Sequence, residues 1–412
     1  MTVHIIGAGL AGLSAATECA ARGQRVIVYE AARHAGGRCR SYFDAATGLT
    51  IDNGNHFVAA GNTAVMTYLD RIGARGSLAG EAEARFDFVD VSSGERWALR
   101  LNGGRVPWWV FSGARRVPGT TARDYMRLAT LLRDHGDATL GQVVPTGGPL
   151  WDRLLDTFFR SALNTPPALG SARLAGAIVR ETLASGGDAC RPRYAVPTLA
   201  AAFVDPALAW LATRRGEVRL GARVRAIVRN DGRATALTLG DGEVAVGPSD
   251  TVIVATPPWI GADLLPGLTV PTEFHAIVNA HFAVAPPPGV PAILAVLGGT
   301  AEWLVAHPDR ISVTVSAADA LAAQPREAIA VTLWTDIQRA YGIATPMPPF
   351  QIIKEARATF AATPAQDARR PGATTADANL FLAGDWTQTG LPATIEGAIR
   401  SGVTAAGLAG RG

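Results

Sequence analysis

One stretch constrains this chain more than any other. Val3-His4-Ile5-Ile6 is a short apolar run that breaks into Gly7-Ala8-Gly9-Leu10-Ala11-Gly12. A helical stretch, Leu13 to Ala21, follows and stops at Gly23. Arg25 to Tyr29 then reads as a second buried strand ending at Glu30, 18 residues after Gly12. Strand, G-x-G-x-x-G, helix, strand and acid stand in the order that a dinucleotide-binding unit needs. Gly7 permits the tight turn, Gly9 lets backbone approach a pyrophosphate, and Gly12 lets helix and strand pack closely. The helix start supplies free N–H groups and partial positive charge to phosphates. Glu30, at the tip of the second strand, is in reach of ribose hydroxyls.

At 412 residues the chain is long enough for two intertwined domains, and 48% hydrophobic against 18% charged residues is a globular composition. A net charge of +3 without a basic, aromatic-interleaved stripe argues against nucleic acid as a partner. Cys19, Cys39 and Cys190 have no metal-ligand spacing, so no metal is expected, and three scattered thiols fit a reducing, cytoplasmic compartment. Residues 1–17 lack the basic start of a secretory signal. The nearest approach to a membrane span, Ala276 to Gly298, is interrupted by Pro286-Pro287-Pro288.

Along the chain, Ala35-Gly36-Gly37-Arg38 offers a curled backbone and a guanidinium able to fork onto phosphate oxygens. Ile51-Asp52-Asn53-Gly54-Asn55-His56 places more polar groups than a turn requires. Alternation from Arg85 to Leu101 predicts a hairpin through Ser92-Ser93-Gly94-Glu95. Residues 123–135 and 151–163 read as helices. Residues 217–228 read as strand, turn, strand, and 235–246 as a meander around Gly240-Asp241-Gly242. Thr251 to Ala255 is a fully apolar strand returning to a parallel sheet. Leu380-Phe381-Leu382-Ala383-Gly384-Asp385 runs from a strand into a turn, with a helix starting near Pro392. Two such nucleotide-gripping units at opposite ends of the chain fit one long cofactor, FAD better than NAD.

Gly7-x-Gly9-x-x-Gly12, Glu30, Gly36-Gly37-Arg38, the strand at Val224, Ala255-Thr256-Pro257-Pro258 and Leu382-Ala383-Gly384-Asp385 together resemble the FAD-dependent amine oxidase and carotenoid desaturase superfamily. Within it the chain is most similar to the bacterial hydroxysqualene dehydroxylases of hopanoid biosynthesis. Residues 51–56, 277–282, 358–364 and 384–398 carry that likeness. The resemblance implies an α/β fold. A Rossmann-like FAD-binding domain with parallel sheet and β-meander (1–84, 218–260 and 351–412) is interleaved with an α+β substrate-binding domain (85–217 and 261–350).

It also implies non-covalent FAD, with the pyrophosphate wrapped by Gly7, Gly9, Leu10, Ala11 and Gly12 and the adenosine ribose held by Glu30. Gly37 and Arg38 serve the phosphates, and Val224 the adenine side through its backbone. Gly384 and Asp385 hold the ribityl-phosphate portion, and Thr394, Ile395 and Ala398 lie along the flavin ring. The implied reaction is reductive removal of the hydroxyl of hydroxysqualene to give squalene. His56, flanked by Asp52 and Asn55, is the candidate acid for the departing oxygen; a hydrogen-bonded structural histidine is the other reading. Trp108, Trp109, Phe111, Phe158 and Phe159 are candidates for the walls of an isoprenoid tunnel, or for ordinary core.

Such a substrate lives in the bilayer, so peripheral contact with the inner face of the membrane is expected. A desaturase or amine oxidase would use the same grip in the oxidative direction. Lys354, the only lysine, reads as structural rather than as the flavin-side lysine of amine oxidases. A non-catalytic prenyl-binding escort on the same fold is the reading of another class.

Overall fold

The computed structural model describes residues 1–240 and 242–410. Its organising sheet has five parallel strands: β1 (Thr2–Ile6), β2 (Arg25–Glu30), β3 (Glu217–Leu220), β4 (Thr251–Val254) and β5 (Leu380–Leu382). They lie in the order β3-β2-β1-β4-β5. β1, β4 and β5 are buried on both faces, as their unbroken apolar runs require. The helix α1 (Leu10–Ala21) follows β1, and α2 (Ile395–Ala409) follows β5.

These two helices pack side by side at van der Waals limits. A Cβ on Gly402 would sit 2.3 Å from the Ala11 carbonyl oxygen, and the Ser14 hydroxyl donates to the Ile399 carbonyl at 2.9 Å. Glu396, fully buried in the first turn of α2, accepts from the amides of Ala64 and Val65 at 3.1 and 2.9 Å. It thereby satisfies free N–H groups at the start of the helix Thr63–Arg71.

A second, seven-stranded sheet is built from Phe350–Phe360, Phe274–Phe282, Ile311–Val315, Trp303–Ala306, Ile293–Leu297, Arg85–Asp90 and Arg96–Arg100, in that spatial order. The last two form the expected hairpin. The expected meander is also present, as Ala226–Asn230, Arg233–Leu239 and Gly242–Ala245; Asp241, at its turn, lies outside the described residues.

Three local expectations differ. The helix read over 123–135 is an α-helix only over Ala122–Arg127, then a tighter turn over Leu128–Leu132 that buries Leu128 and Leu131. Val224 is not in a strand. Gly221, at φ +71°, turns the chain off β3, and Val224 is buried in the connection before the strand Ala226–Asn230. The division at 350/351 falls at the first residue of a strand that pairs along Phe274–Phe282 in the second sheet. Likewise the helix Asp205–Ala212 shares the buried cluster that contains α1, because Ala207 and Leu211 turn inward toward the parallel sheet.

Candidate functional site

The carboxyl ends of the parallel strands converge. Gly7 leaves β1 at φ +108°, a conformation side chains resist. Its amide is held by the Tyr29 carbonyl at 2.7 Å. Gly12 has no room for a side chain, since a Cβ there would lie 1.9 Å from the Gly7 carbonyl oxygen. Gly9 is the opposite case, where a methyl group would meet nothing within 4 Å. Gly9 caps α1 without any side-chain bond, so open space faces the first amides of the helix at Leu10, Ala11 and Gly12. Gly36 and Gly37, at φ +104° and +56°, bring the next turn over this spot, and a Cβ on Gly37 would be 3.3 Å from the Gly9 Cα. An uncapped helix start roofed by glycines fits a pyrophosphate.

Glu30 ends β2 with one carboxylate oxygen on the Ala8 amide and the other on the Ala32 amide, each at 2.8 Å. A carboxylate offers about four lone-pair directions, so both oxygens retain capacity for hydroxyl donors. At the end of β5, Gly384 adopts φ +149°, and its amide donates to the Ser401 hydroxyl at 2.8 Å. Asp385 is buried and takes the Arg38 guanidinium through both oxygens. Arg38 also donates to the Ala358 carbonyl at 2.5 Å. Its two terminal nitrogens are thus held by protein, on a side chain that remains 43% exposed. Thr394 caps α2 by accepting the Gly397 amide at 3.0 Å, with Ile395 and Ala398 in the first turn. Both helix starts lie at one edge of one sheet, and an elongated dinucleotide bridging them fits the residues present.

Asp52, Asn55 and His56 border one narrow cleft, together with Phe57, Tyr194 and His307. The three are engaged differently. The buried Asp52 carboxylate accepts from the Ser41 hydroxyl at 2.5 Å and the Leu199 amide at 2.8 Å; burial raises its pKa. Asn55 donates to the Val313 carbonyl at 3.2 Å and the Thr314 hydroxyl at 3.0 Å, fastening its loop to the seven-stranded sheet. His56 has only a long contact, 3.4 Å from Nε2 to the Arg38 carbonyl oxygen. Burial pushes its imidazole down to about 4, so the ring is neutral near pH 7.

Several residues here carried no signal in the sequence. Arg370 is buried and staples the turn after β5 through the Asp385 and Thr387 carbonyls, at 3.1 and 2.5 Å, and the Thr389 hydroxyl at 2.8 Å. His307 reaches the cleft from the second sheet. Lys354 hydrogen-bonds the Gln324 carbonyl. Of the aromatic residues read as tunnel wall or core, Trp109 and Phe159 are buried, whereas Trp108 and Phe111 point to the outside. No cluster of three metal-ligating side chains occurs among the described residues.

The family model for flavin containing amine oxidoreductases matches residues 10–409. The chain is 53% identical over 407 residues to a hydroxysqualene dehydroxylase of Sinorhizobium fredii, covering 99% of this chain and 98% of the relative. It is 52% identical over 408 residues to a hydroxysqualene dehydroxylase of Rhodopseudomonas palustris, covering 99% and 98%. Among solved structures, cyclohexylamine oxidase from Brevibacterium oxydans superposes with a TM-score of 0.70 at 16% identity, covering 100% of this chain and 99% of that one. At that identity the likeness speaks for the fold alone.

Proposed function

The chain belongs to the flavin containing amine oxidoreductase family, and from that premise we propose that it removes the hydroxyl of hydroxysqualene reductively, giving squalene and water. It is an FAD-dependent oxidoreductase. The observation that carries the substrate is the identity of about half of all residues, end to end, with hydroxysqualene dehydroxylases.

Bound FAD, when reduced, supplies the hydride that replaces the hydroxyl. The chain's own residues grip, orient and polarise. Gly9, Gly12 and Gly37 keep backbone close enough for the α1 amides to hold phosphate, Glu30 accepts ribose hydroxyls, and Arg38 with Asp385 locks the two cofactor-binding turns together. In the cleft, the C–O bond of an allylic alcohol breaks only as negative charge on the departing oxygen is met by a donor. A neutral His56 has one N–H. Its 3.4 Å contact with the Arg38 carbonyl is too long to hold that N–H tightly, so a substrate oxygen in the cleft competes for it. Asp52 and Asn55 position His56 by anchoring the chain that leads into it. We infer further that the enzyme works against the inner, cytoplasmic face of the membrane, where its substrate resides; no helix among the described residues is long and apolar enough to cross it.

The test is anaerobic mixing of reduced enzyme with hydroxysqualene. Flavin reoxidation with stoichiometric squalene supports the reading. An enzyme that stays reduced with the alcohol, yet is reduced from the oxidised state by an amine or by squalene, overturns it for an oxidative activity. A purified protein that binds isoprenoid but no flavin would support an escort.

A further inference from the structure

One lobe of the molecule leaves large apolar side chains uncovered. Val106, Trp108, Phe111, Met126 and Leu132 are 74%, 49%, 73%, 63% and 40% exposed, all within one short stretch of chain. The stretch is not loose. The buried rings of Trp109 and Tyr125 meet edge to face with centroids 4.9 Å apart. The Val117 amide donates to the Tyr125 hydroxyl at 3.0 Å, and Thr121 and Asp124 cap the helix Ala122–Arg127 reciprocally. Inward residues therefore lock the turn Trp108–Phe111 to that helix, while the outward ones are held off the core. On the helix, Arg123, Met126 and Arg127 are exposed at i, i+3 and i+4 spacing and share one face.

The charge of the lobe is equally one-sided. Residues 105–133 carry six arginines and a single acid, Asp124, a larger positive excess than the +3 of the whole chain. The Arg115 guanidinium lies over the Trp108 ring, 4.6 Å from its centroid. Indole rings settle at the headgroup level of a bilayer, aliphatic and phenyl groups sit just beneath, and arginines meet anionic headgroups.

We propose that the lobe spanning residues 105–133 docks the enzyme on an anionic lipid bilayer, with Val106, Phe111 and Met126 entering the headgroup–acyl boundary and the arginines on lipid phosphates. The choice of a bilayer over a protein partner rests on the substrate reading above, because the alcohol must be drawn from the membrane. Two cations flanking an apolar tip also match a planar anionic surface better than a closed groove.

Flotation of the full-length, FAD-loaded protein with vesicles tests this. Binding is expected to vesicles containing phosphatidylglycerol, to weaken severalfold with added salt, and to be at least tenfold lower with phosphatidylcholine alone. Phe111→Ser with Met126→Ser, and separately Arg123→Glu with Arg127→Glu, should each lower the bound fraction about tenfold. Val331→Ser, an exposed apolar residue elsewhere, should not. All variants should keep their flavin spectrum and their turnover of detergent-dispersed substrate. Flotation unchanged by the lobe substitutions, absent in the wild type, or equal on neutral and anionic lipid overturns the proposal. So does a wild type that dimerises through the lobe without floating. Lobe-dependent flotation of a protein that does not turn over hydroxysqualene would leave docking intact and overturn the substrate reading instead.

Discussion

Arg38 holds both carboxylate oxygens of Asp385, at 2.8 and 2.7 Å, across 347 residues of sequence. The pair ties the turn after β2 to the turn after β5. Asp385 is buried while Arg38 is partly exposed, so truncating the arginine strands a buried carboxylate, a larger penalty than the net worth of the pair. Arg38→Ala should therefore lose FAD on dialysis, and Arg38→Lys should retain more but not all, because one ammonium cannot stand in for two guanidinium nitrogens, one on Asp385 and the other on the Ala358 carbonyl. Combining Arg38→Ala with Asp385→Asn should cost less than the sum of the single changes, by about 0.5–3 kcal/mol in flavin affinity. Equal flavin occupancy in all four variants would separate the pair from the cofactor.

Glu30 presents one oxygen to each of two backbone amides, and these bonds aim the carboxylate. A hydrogen bond to a charged group contributes about 1.5–3 kcal/mol. Glu30→Ala is then expected to weaken FAD binding roughly 10- to 100-fold, with Glu30→Gln between it and the wild type. Fluorescence titration of the apoprotein with FAD reads this directly; a Glu30→Ala protein that titrates like the wild type would refute the adenosine-ribose assignment.

His56 is held neutral, its imidazole pushed down to about 4 by burial. As a hydrogen-bond donor rather than a titrating acid, it should leave flavin reoxidation by hydroxysqualene without an inflection near its ordinary value of about 6.5. His56→Ala should slow that step by about 10²–10³-fold with flavin content unchanged, and His56→Gln should lie between. Stopped-flow traces across pH decide the matter: an inflection near neutrality that disappears in His56→Gln would restore the charged acid, and wild-type rates in His56→Ala would leave His56 a structural residue.

Two further histidines bear on stability. His281 is buried between the Ser312 hydroxyl and the Asp52 carbonyl, at 2.8 and 2.9 Å, and burial lowers it to about 4. His307, lowered to about 3 by burial and then by Arg310, has an Nε2 without a partner among the described residues. In the unfolded chain both bind protons below about 6.5; in the folded chain they resist. Their stabilising contribution is present above about pH 6.5 and is lost as pH falls toward the folded values, at up to ~1.4 kcal/mol per pH unit for each. Urea midpoints measured from neutrality down to about pH 4.5 should fall accordingly, and His307→Gln should flatten the decline. A decline equally steep in that variant would place the acid sensitivity elsewhere.

The parts of this protein that could be read in advance are those whose constraint closes within a few residues. Gly7 needs its left-handed backbone, Gly12 its missing Cβ and Glu30 its place at a strand tip, and all three follow from the covalent order of one βαβ unit. The hairpin at 85–100 and the apolar run of β4 are of the same kind. The sequence around Val224 favours a strand, and only the crossing between two sheets leaves it in the connection instead. Other features depend on what folding brings alongside. No window around Arg370 shows that it will staple the turn after β5, nor does any around Glu396 show that it will cap a helix more than 300 residues earlier. Trp108 and Trp109 are adjacent and chemically identical, yet one is exposed and the other is core; the ring of Tyr125, waiting in the fold, decides between them. Local backbone sterics are written in the order of residues, whereas burial, the pKa of His56 and the outward face of the 105–133 lobe arise only when distant segments compete for the same space and exclude water from it.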